Sequence, residues 1–304
     1  VVQEIKAMTT SHPTPKMRSW LFAPGDSLKK MTKASDSQAD IALLDLEDAV
    51  MPDSKPQARD MVSEFLASRE DKHRIWVRIN PLSSGEAERD LDAIMDAAPG
   101  GILLPKAEGG HDVVALDALL NERESGFGIA RGSTKVAALV TETAAAMFTT
   151  GTYAGTPRLV AMTWGAEDLS AAIGAQEQRG PDGEYSHTFE MARSLCLLGA
   201  AKAGVAPIET VQPEFRDLDK LASRALRVRK QGFRGMLAIH PAQVEPINAA
   251  FTPSADEIAH AQAVVHAFAD NPGAGAVALD GNMLDRPHLA LAERILAESR
   301  EQSI

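Results

Sequence analysis

Eight short apolar runs, at residues 19–23, 41–46, 75–79, 101–104, 136–140, 159–163, 205–211 and 236–239, recur along most of the chain. Runs this short, bounded by turn residues, suit strands buried on both faces. Between them, segments 54–68, 86–97, 112–120, 189–203 and 217–231 carry apolar residues near a 3.6 period, which gives a helix one buried face. Strands alternating with helices build right-handed βαβ units on a parallel sheet, and eight such units suggest a closed (β/α)8 TIM barrel. An open doubly wound sheet is the alternative, but the Gly-x-Gly-x-x-Gly turn that usually follows its first strand is missing. The expected organisation is a disordered or extended arm over 1–17, the barrel over 18–250, and a C-terminal helical extension or lid over 251–304.

The chain has 304 residues, 44% hydrophobic and only 5% aromatic, enough for one large aliphatic core. Its formal net charge of −11 argues against a nucleic-acid backbone as partner, while leaving room for a local basic pocket. Cys196 is the single cysteine, so neither an internal disulfide nor a cysteine metal cluster can form. No apolar run approaches the roughly 18 residues of a membrane span, and the polar start lacks a signal-peptide core. No membrane partner and a cytoplasmic location are therefore expected.

Polar and charged residues collect where the strands run out. They include Pro24-Gly25-Asp26, Asp45-Leu46-Glu47-Asp48, Arg78-Ile79-Asn80, Pro105-Lys106, Glu142, Asp168, Glu209 and His240. Barrel enzymes draw catalytic groups from several strand ends, so this distribution is the one a site requires. Glu142 and Asp168 are the candidate metal ligands, because Mg²⁺ takes one or two carboxylates from a protein and leaves positions for substrate and water. Each could instead cap the helix that follows it. Arg78 is a candidate for binding a carboxylate or a developing alkoxide through its planar fork, the alternative being an ordinary ion pair on the rim. Asp45 and Glu47, two residues apart, point to one side of their strand, where they orient Arg78 or Lys106 or build a structural ion-pair network. Arg18, Lys29, Lys30 and Lys33 make a local positive cluster for phosphates, or a solvated helix face. Lys106 is the reserve nucleophile for imine chemistry if no metal takes part. His240, just before Pro241, reads as a turn-fixing residue and not a catalytic one.

The segments Arg18-Ser-Trp-Leu-Phe-Ala-Pro24-Gly25, Asp45-Leu-Glu-Asp-Ala-Val50, Val77-Arg78-Ile-Asn80, Leu104-Pro-Lys106, Glu142-Thr-Ala, Trp164-Gly-Ala-Glu-Asp168-Leu and Ala238-Ile-His-Pro-Ala-Gln243 follow one another in order. Together with Asp280-Gly-Asn-Met-Leu-Asp285-Arg-Pro they resemble the citrate lyase β-subunit-like branch of the HpcH/HpaI aldolase superfamily, which includes malyl-CoA and citramalyl-CoA lyases. Trp164 and Glu209 depart from the commoner Phe and Asp at their positions. The resemblance implies a Mg²⁺-dependent lyase that reversibly cleaves a 3-hydroxyacyl-CoA to acetyl-CoA and a 2-oxo acid, glyoxylate or pyruvate. It implies a homo-oligomer, trimeric or hexameric, in which Asp285 serves as acid/base in a neighbouring subunit's site. It also implies that Arg18, the Pro24-Gly25 turn, Gly165 and Ala166 lie along the substrate. Locally, Asp285 reads equally well as a helix N-cap. Three alternatives stand beside this reading. One is a citrate lyase β subunit acting on a thioester carried by an acyl carrier protein, another a malate synthase-like enzyme with an added thioesterase step. The third is a CoA-binding scaffold without catalysis.

Overall fold

The structure, a computed structural model, describes residues 15–300; most of the expected N-terminal arm, residues 1–14, lies outside the described residues. Each of the eight apolar runs forms one strand. These are β1 (Ser19–Pro24), β2 (Ile41–Asp45), β3 (Ile75–Arg78), β4 (Gly101–Leu104), β5 (Lys135–Leu139), β6 (Leu159–Thr163), β7 (Ala206–Glu209) and β8 (Gly235–Ala238). They pair in chain order, all parallel, and β8 returns to β1 to close the barrel.

Side chains alternate across this sheet and so divide the core in two. One parity, including Trp20, Ile41, Leu43, Trp76, Leu103 and Leu237, fills the barrel axis. Trp20 and Trp76 meet there edge to face, ring centroids 5.0 Å apart, so the interior is packed and not a pore. The other parity, including Leu21, Leu44, Val77, Ile102 and Val136, faces the surrounding helices. Those are α1 (Leu28–Ser35), α2 (Lys55–Ala67), α3 (Ala87–Ile94), α4 (Gly110–Gly126), α5 (Ala166–Ile173), α6 (His187–Ala203), α7 (Leu218–Lys230) and α8 (Val244–Ala250). In α2, Ala58, Val62, Phe65 and Leu66 form the buried face. Full burial of a side chain such as Val62 or Leu66 contributes about 1.5–3 kcal/mol. After β5 there is no α-helix, only two 3-10 turns at Ala146–Phe148 and Thr150–Thr152. Thr149-Thr150-Gly151-Thr152, which includes the second turn, consists of poor helix formers.

Beyond the barrel, α9 (Ala255–Ala269) opens with a reciprocal Ser254–Glu257 capping box and packs on α10 (Arg286–Arg300). The helical extension expected over 251–304 is interrupted: an antiparallel hairpin of β9 (Ala276–Leu279) and β10 (Asn282–Asp285) joins the two helices. Val277 and Leu284 of the hairpin share a small core with Ala261, Val264 and Phe268 of α9. Among the described residues, no helix is long and apolar enough to cross a membrane.

Candidate active site

Strand parity sets the first half of the site. Leu43 and Trp76 face the barrel axis, so Asp45 and Arg78, two residues further along paired strands, face inward at its C-terminal mouth. Arg78 donates from Nε to Oδ1 of Asp45 at 2.8 Å and from Nη2 to Oδ2 at 2.6 Å, a two-pronged contact with a carboxylate only 1% exposed. Its Nη1 lies 2.9 Å from Oε2 of Glu47, an ion pair without hydrogen-bond geometry. The guanidinium also rests over the Phe22 ring, 4.9 Å from its centroid. Burial opposes the positive charge, but Asp45, Glu47 and Glu142 outweigh it, and the pKa of Arg78 is raised. Asp45 further accepts the N–H groups of Glu47 (2.9 Å) and Ala49 (3.2 Å), folding its own loop beneath the guanidinium.

Lys106, just past β4, ties this half to the other. Its backbone has φ +50°, and its N–H donates to Oε2 of Glu142 at 2.6 Å. Its Nζ donates to Oε1 of Glu47 at 2.8 Å and lies 3.2 Å from Oδ1 of Asp168. Burial lowers the pKa of this ammonium, yet Glu47, Asp168 and Asp48 together raise it above the ordinary value. An imine-forming lysine must present a neutral amine, so the reserve role for Lys106 does not match its surroundings.

Glu142 is 3% exposed, and among the described residues its carboxylate makes no ion pair. Burial, with Asp168 adding repulsion and the Lys106 N–H opposing, pushes its carboxyl up to about 8. Gly165 lets the loop after β6 close over it, since a Cβ there would stand 3.1 Å from both Cγ and Oε1 of Glu142. Asp168 then projects from the first turn of α5, which starts at Ala166. Glu142 caps no helix, because 3-10 turns follow β5, and Asp168 is engaged by Lys106. A buried carboxylate short of positive charge, beside a second carboxylate that is 29% exposed at its side chain, fits a divalent cation bound to oxygen. Among the described residues no group of three or more His, Cys, Asp or Glu side chains could hold a metal, so a cation on these two carboxylates would take water and substrate as its remaining ligands.

Pro24 and Gly25 sit on this same rim, where the Gly25 N–H donates to the Asp45 carbonyl at 2.8 Å. Lys29 is exposed on α1 beyond them. Arg18 needs correction: it precedes β1 and so lies at the opposite end of the barrel, where Nε (2.9 Å) and Nη2 (2.8 Å) hold Asp40 and Nη1 donates to Thr252. Glu209 follows inward-facing Ile208 and turns outward to Trp164, Arg193 and Arg224, bracing β7 against α6 and α7. His240 accepts the Ala242 N–H at 3.1 Å and stacks on Phe215, fixing the turn after β8. Asp285 ends β10, half-exposed, with Oδ1 2.6 Å from Nδ1 of His288. No hydrogen bond or ion pair joins it to Arg78, Glu142 or Asp168. Sequence reasoning passed over Lys55, whose Nζ donates to the carbonyls of Leu46 (2.9 Å) and Glu47 (3.0 Å) and to Asn80 (2.5 Å). It braces the loops after β2 and β3, and nothing in its local sequence signals this.

Comparison with known proteins identifies the family. The HpcH/HpaI aldolase/citrate lyase family model matches residues 18–241. A citrate lyase subunit beta-like protein of Mycobacterium tuberculosis is 33% identical over 282 residues, covering 93% of this chain and 95% of the relative. A (3S)-malyl-CoA thioesterase of Cereibacter sphaeroides is 32% identical over 292 residues, covering 95% and 96%. The crystal structure of CitE from Mycobacterium tuberculosis in complex with magnesium, acetoacetate and coenzyme A matches with a TM-score of 0.78 at 33% identity, covering 94% of this chain and 98% of that one. With its barrel, its strand-end carboxylates and its full-length relatives in agreement, the chain belongs to the HpcH/HpaI aldolase/citrate lyase family.

Proposed function

We propose that this protein is a Mg²⁺-dependent carbon–carbon lyase, reversibly cleaving a 3-hydroxyacyl-CoA such as malyl-CoA or citramalyl-CoA to acetyl-CoA and glyoxylate or pyruvate. The observation that carries the reading is Glu142, a buried carboxylate pushed up to about 8, set against Asp168 at the mouth that holds Arg78. Those two carboxylates hold the cation, in keeping with the magnesium, acetoacetate and coenzyme A bound by the solved relative. Bound there, Mg²⁺ supplies Lewis-acid polarisation of the oxo acid. Arg78 binds the substrate carboxylate through the Nη protons that Asp45 leaves free, while Asp45 and Glu47 act through it by fixing its plane. In cleavage the C3 hydroxyl gives its proton to water, the C2–C3 bond breaks and its electron pair enters the thioester as an enolate. The enolate carbon takes a proton from the protonated carboxyl of Asp285 of a neighbouring subunit, which regains it from water. Gly165 and Ala166 line the acyl end, and Pro24, Gly25 and Lys29 the CoA side.

The position of the C-terminal elements supports delivery by a neighbour. Leu291 and Ile295 of α10 line a cavity with Arg18, Leu159 and Ala206, all at the strand starts. The helix that follows Asp285 thus packs at the end of its own barrel opposite Glu142, and in this reading a homo-oligomer, trimeric or hexameric, brings Asp285 and Glu142 together. A second reading rests on the thioesterase of Cereibacter sphaeroides: hydrolysis of malyl-CoA at the same site. Purified protein incubated with Mg²⁺, acetyl-CoA and either oxo acid tests both, with condensation product and free thiol measured separately. Product without thiol supports the lyase, whereas thiol released from supplied malyl-CoA without exchange into acetyl-CoA replaces it with the hydrolase. Inactive Asp285→Asn and Glu142→Gln subunits, mixed into hybrids, should recover part of the activity; hybrids that stay inactive would place Asp285 outside a shared site.

A further inference from the structure

A cavity of about 600 Å³ opens at the end of the barrel where the strands begin, away from the carboxylate rim. Leu159 of β6, Ala206 of β7, Phe233 and Phe251 form one apolar wall, and Leu291 and Ile295 of α10 form the facing one. Around it stand Lys16, Lys230, Arg234 and Arg294, none of which makes an ion pair among the described residues. Two further cations of the lining are neutralised, Arg18 by Asp40 and Arg229 by Glu257. Six Lys and Arg residues thus line the cavity against two acids, Glu257 and Glu298, in a protein whose net charge is −11. Positive charge gathered against the overall sign raises the local concentration of anions. Guanidinium groups from two separate elements, Arg234 before β8 and Arg294 on α10, offer planar forks to phosphate oxygens, while the apolar walls take an organic body. The volume is within the usual small-molecule range of about 300–1,000 Å³ and too small for a polymer.

We infer that this cavity is a second binding site, distinct from the carboxylate rim, for a small organic phosphate that bridges the barrel and α10. A ligand of this class neutralises the crowded cations and ties the C-terminal helix to the strand starts. The probe is ADP, compared with adenosine and inorganic phosphate at constant ionic strength, using calorimetric titration of the full chain. ADP is expected to bind more tightly than either part. Arg234→Glu with Arg294→Glu should weaken it by at least about tenfold, and Arg234→Gln with Arg294→Gln by less. Lys29→Glu, at the other end of the barrel, should leave this binding in place. The inference is overturned if both paired variants bind ADP normally, or if Lys29→Glu alone abolishes binding. It also falls if inorganic phosphate binds as tightly as ADP. A paired charge reversal that shifts oligomeric state by gel filtration without changing ADP affinity would make the patch an interface between copies instead.

Discussion

Glu142→Gln is the perturbation whose size the structure sets most directly. The folded carboxyl titrates at about 8 against 4.5 unperturbed, so at neutral pH the metal-free folded protein holds a proton that the unfolded chain has released. A folded pKa above the unfolded one means that folding takes up a proton, so metal-free stability falls as pH rises from about 4.5 to about 8. At pH 7 the unfolded group lies two and a half units above its pKa, a penalty on the order of 3 kcal/mol at about 1.4 kcal/mol per unit. Gln keeps the shape and is always neutral, so it removes this penalty. In a chelating buffer at pH 7 the variant should melt above wild type by about 6 °C, at roughly 2 °C per kcal/mol for a chain of this size. Added Mg²⁺ should raise wild type and leave the variant unmoved, because the cation binds the folded state only when both carboxylates are present. Scanning calorimetry at pH 5.5, 7 and 8.5, with and without Mg²⁺, reads every arm. A variant that melts with the same pH slope as wild type, and gains the same stability from Mg²⁺, would refute both the burial argument and the assignment of Glu142 to the cation.

Arg78→Lys should raise the KM for glyoxylate or pyruvate at least about tenfold, since an ammonium cannot span both oxygens of Asp45 and still face a carboxylate; unchanged saturation curves would remove Arg78 from the substrate site. Gly165→Ala should weaken Mg²⁺ binding by calorimetric titration while barely moving the metal-free melting temperature, because its Cβ crowds the Glu142 carboxylate at 3.1 Å; equal affinities would show that the loop yields freely. Glu124, held down to about 2 by Arg158 and the N–H groups of Thr134 and Gly132 against the pull of burial, contributes stability that is complete above its unfolded pKa. That contribution is lost as pH falls from about 4.5 toward 2, so Glu124→Gln should be less stable than wild type at pH 6 with the gap narrowing toward pH 3; a gap independent of pH would refute it.

The barrel was legible in the sequence because burial on both faces leaves a mainly apolar run for each strand, and only one run, that of β7, contains a proline, Pro207. The hairpin was not read, although its signal was present. Asp280 and Gly281 both adopt left-handed φ, +50° and +79°, the conformation that two-residue hairpin turns demand and that Asp-Gly supplies. Its strands are four residues each and bury only Val277 and Leu284 well, too little apolar pattern to separate them from a loop. The Arg18 error is of another kind. A residue before a strand of a parallel barrel lies on the end away from the strand-end polar groups, whatever motif it belongs to.

Parity explains which site residues could be placed from sequence and which could not. Asp45 and Arg78 continue the inward alternation of Leu43 and Trp76, so their meeting follows from the two-residue period. Glu209 comes one residue after inward-facing Ile208, so the same rule turns it to the helices, where its two Arg partners wait. The rule stops where a strand stops. Glu142 stands three residues past the end of β5, and Asp168 lies within a helix, so no periodicity brings them together. What joins them is Lys106, with its N–H on one carboxylate and its ammonium on the other. That arrangement depends on a positive φ at a non-glycine residue, a conformation that costs energy and that no local sequence pattern announces. The chemistry is thus assembled by the part of the chain where local rules lapse, and the packed barrel beneath it holds the strained connection in place.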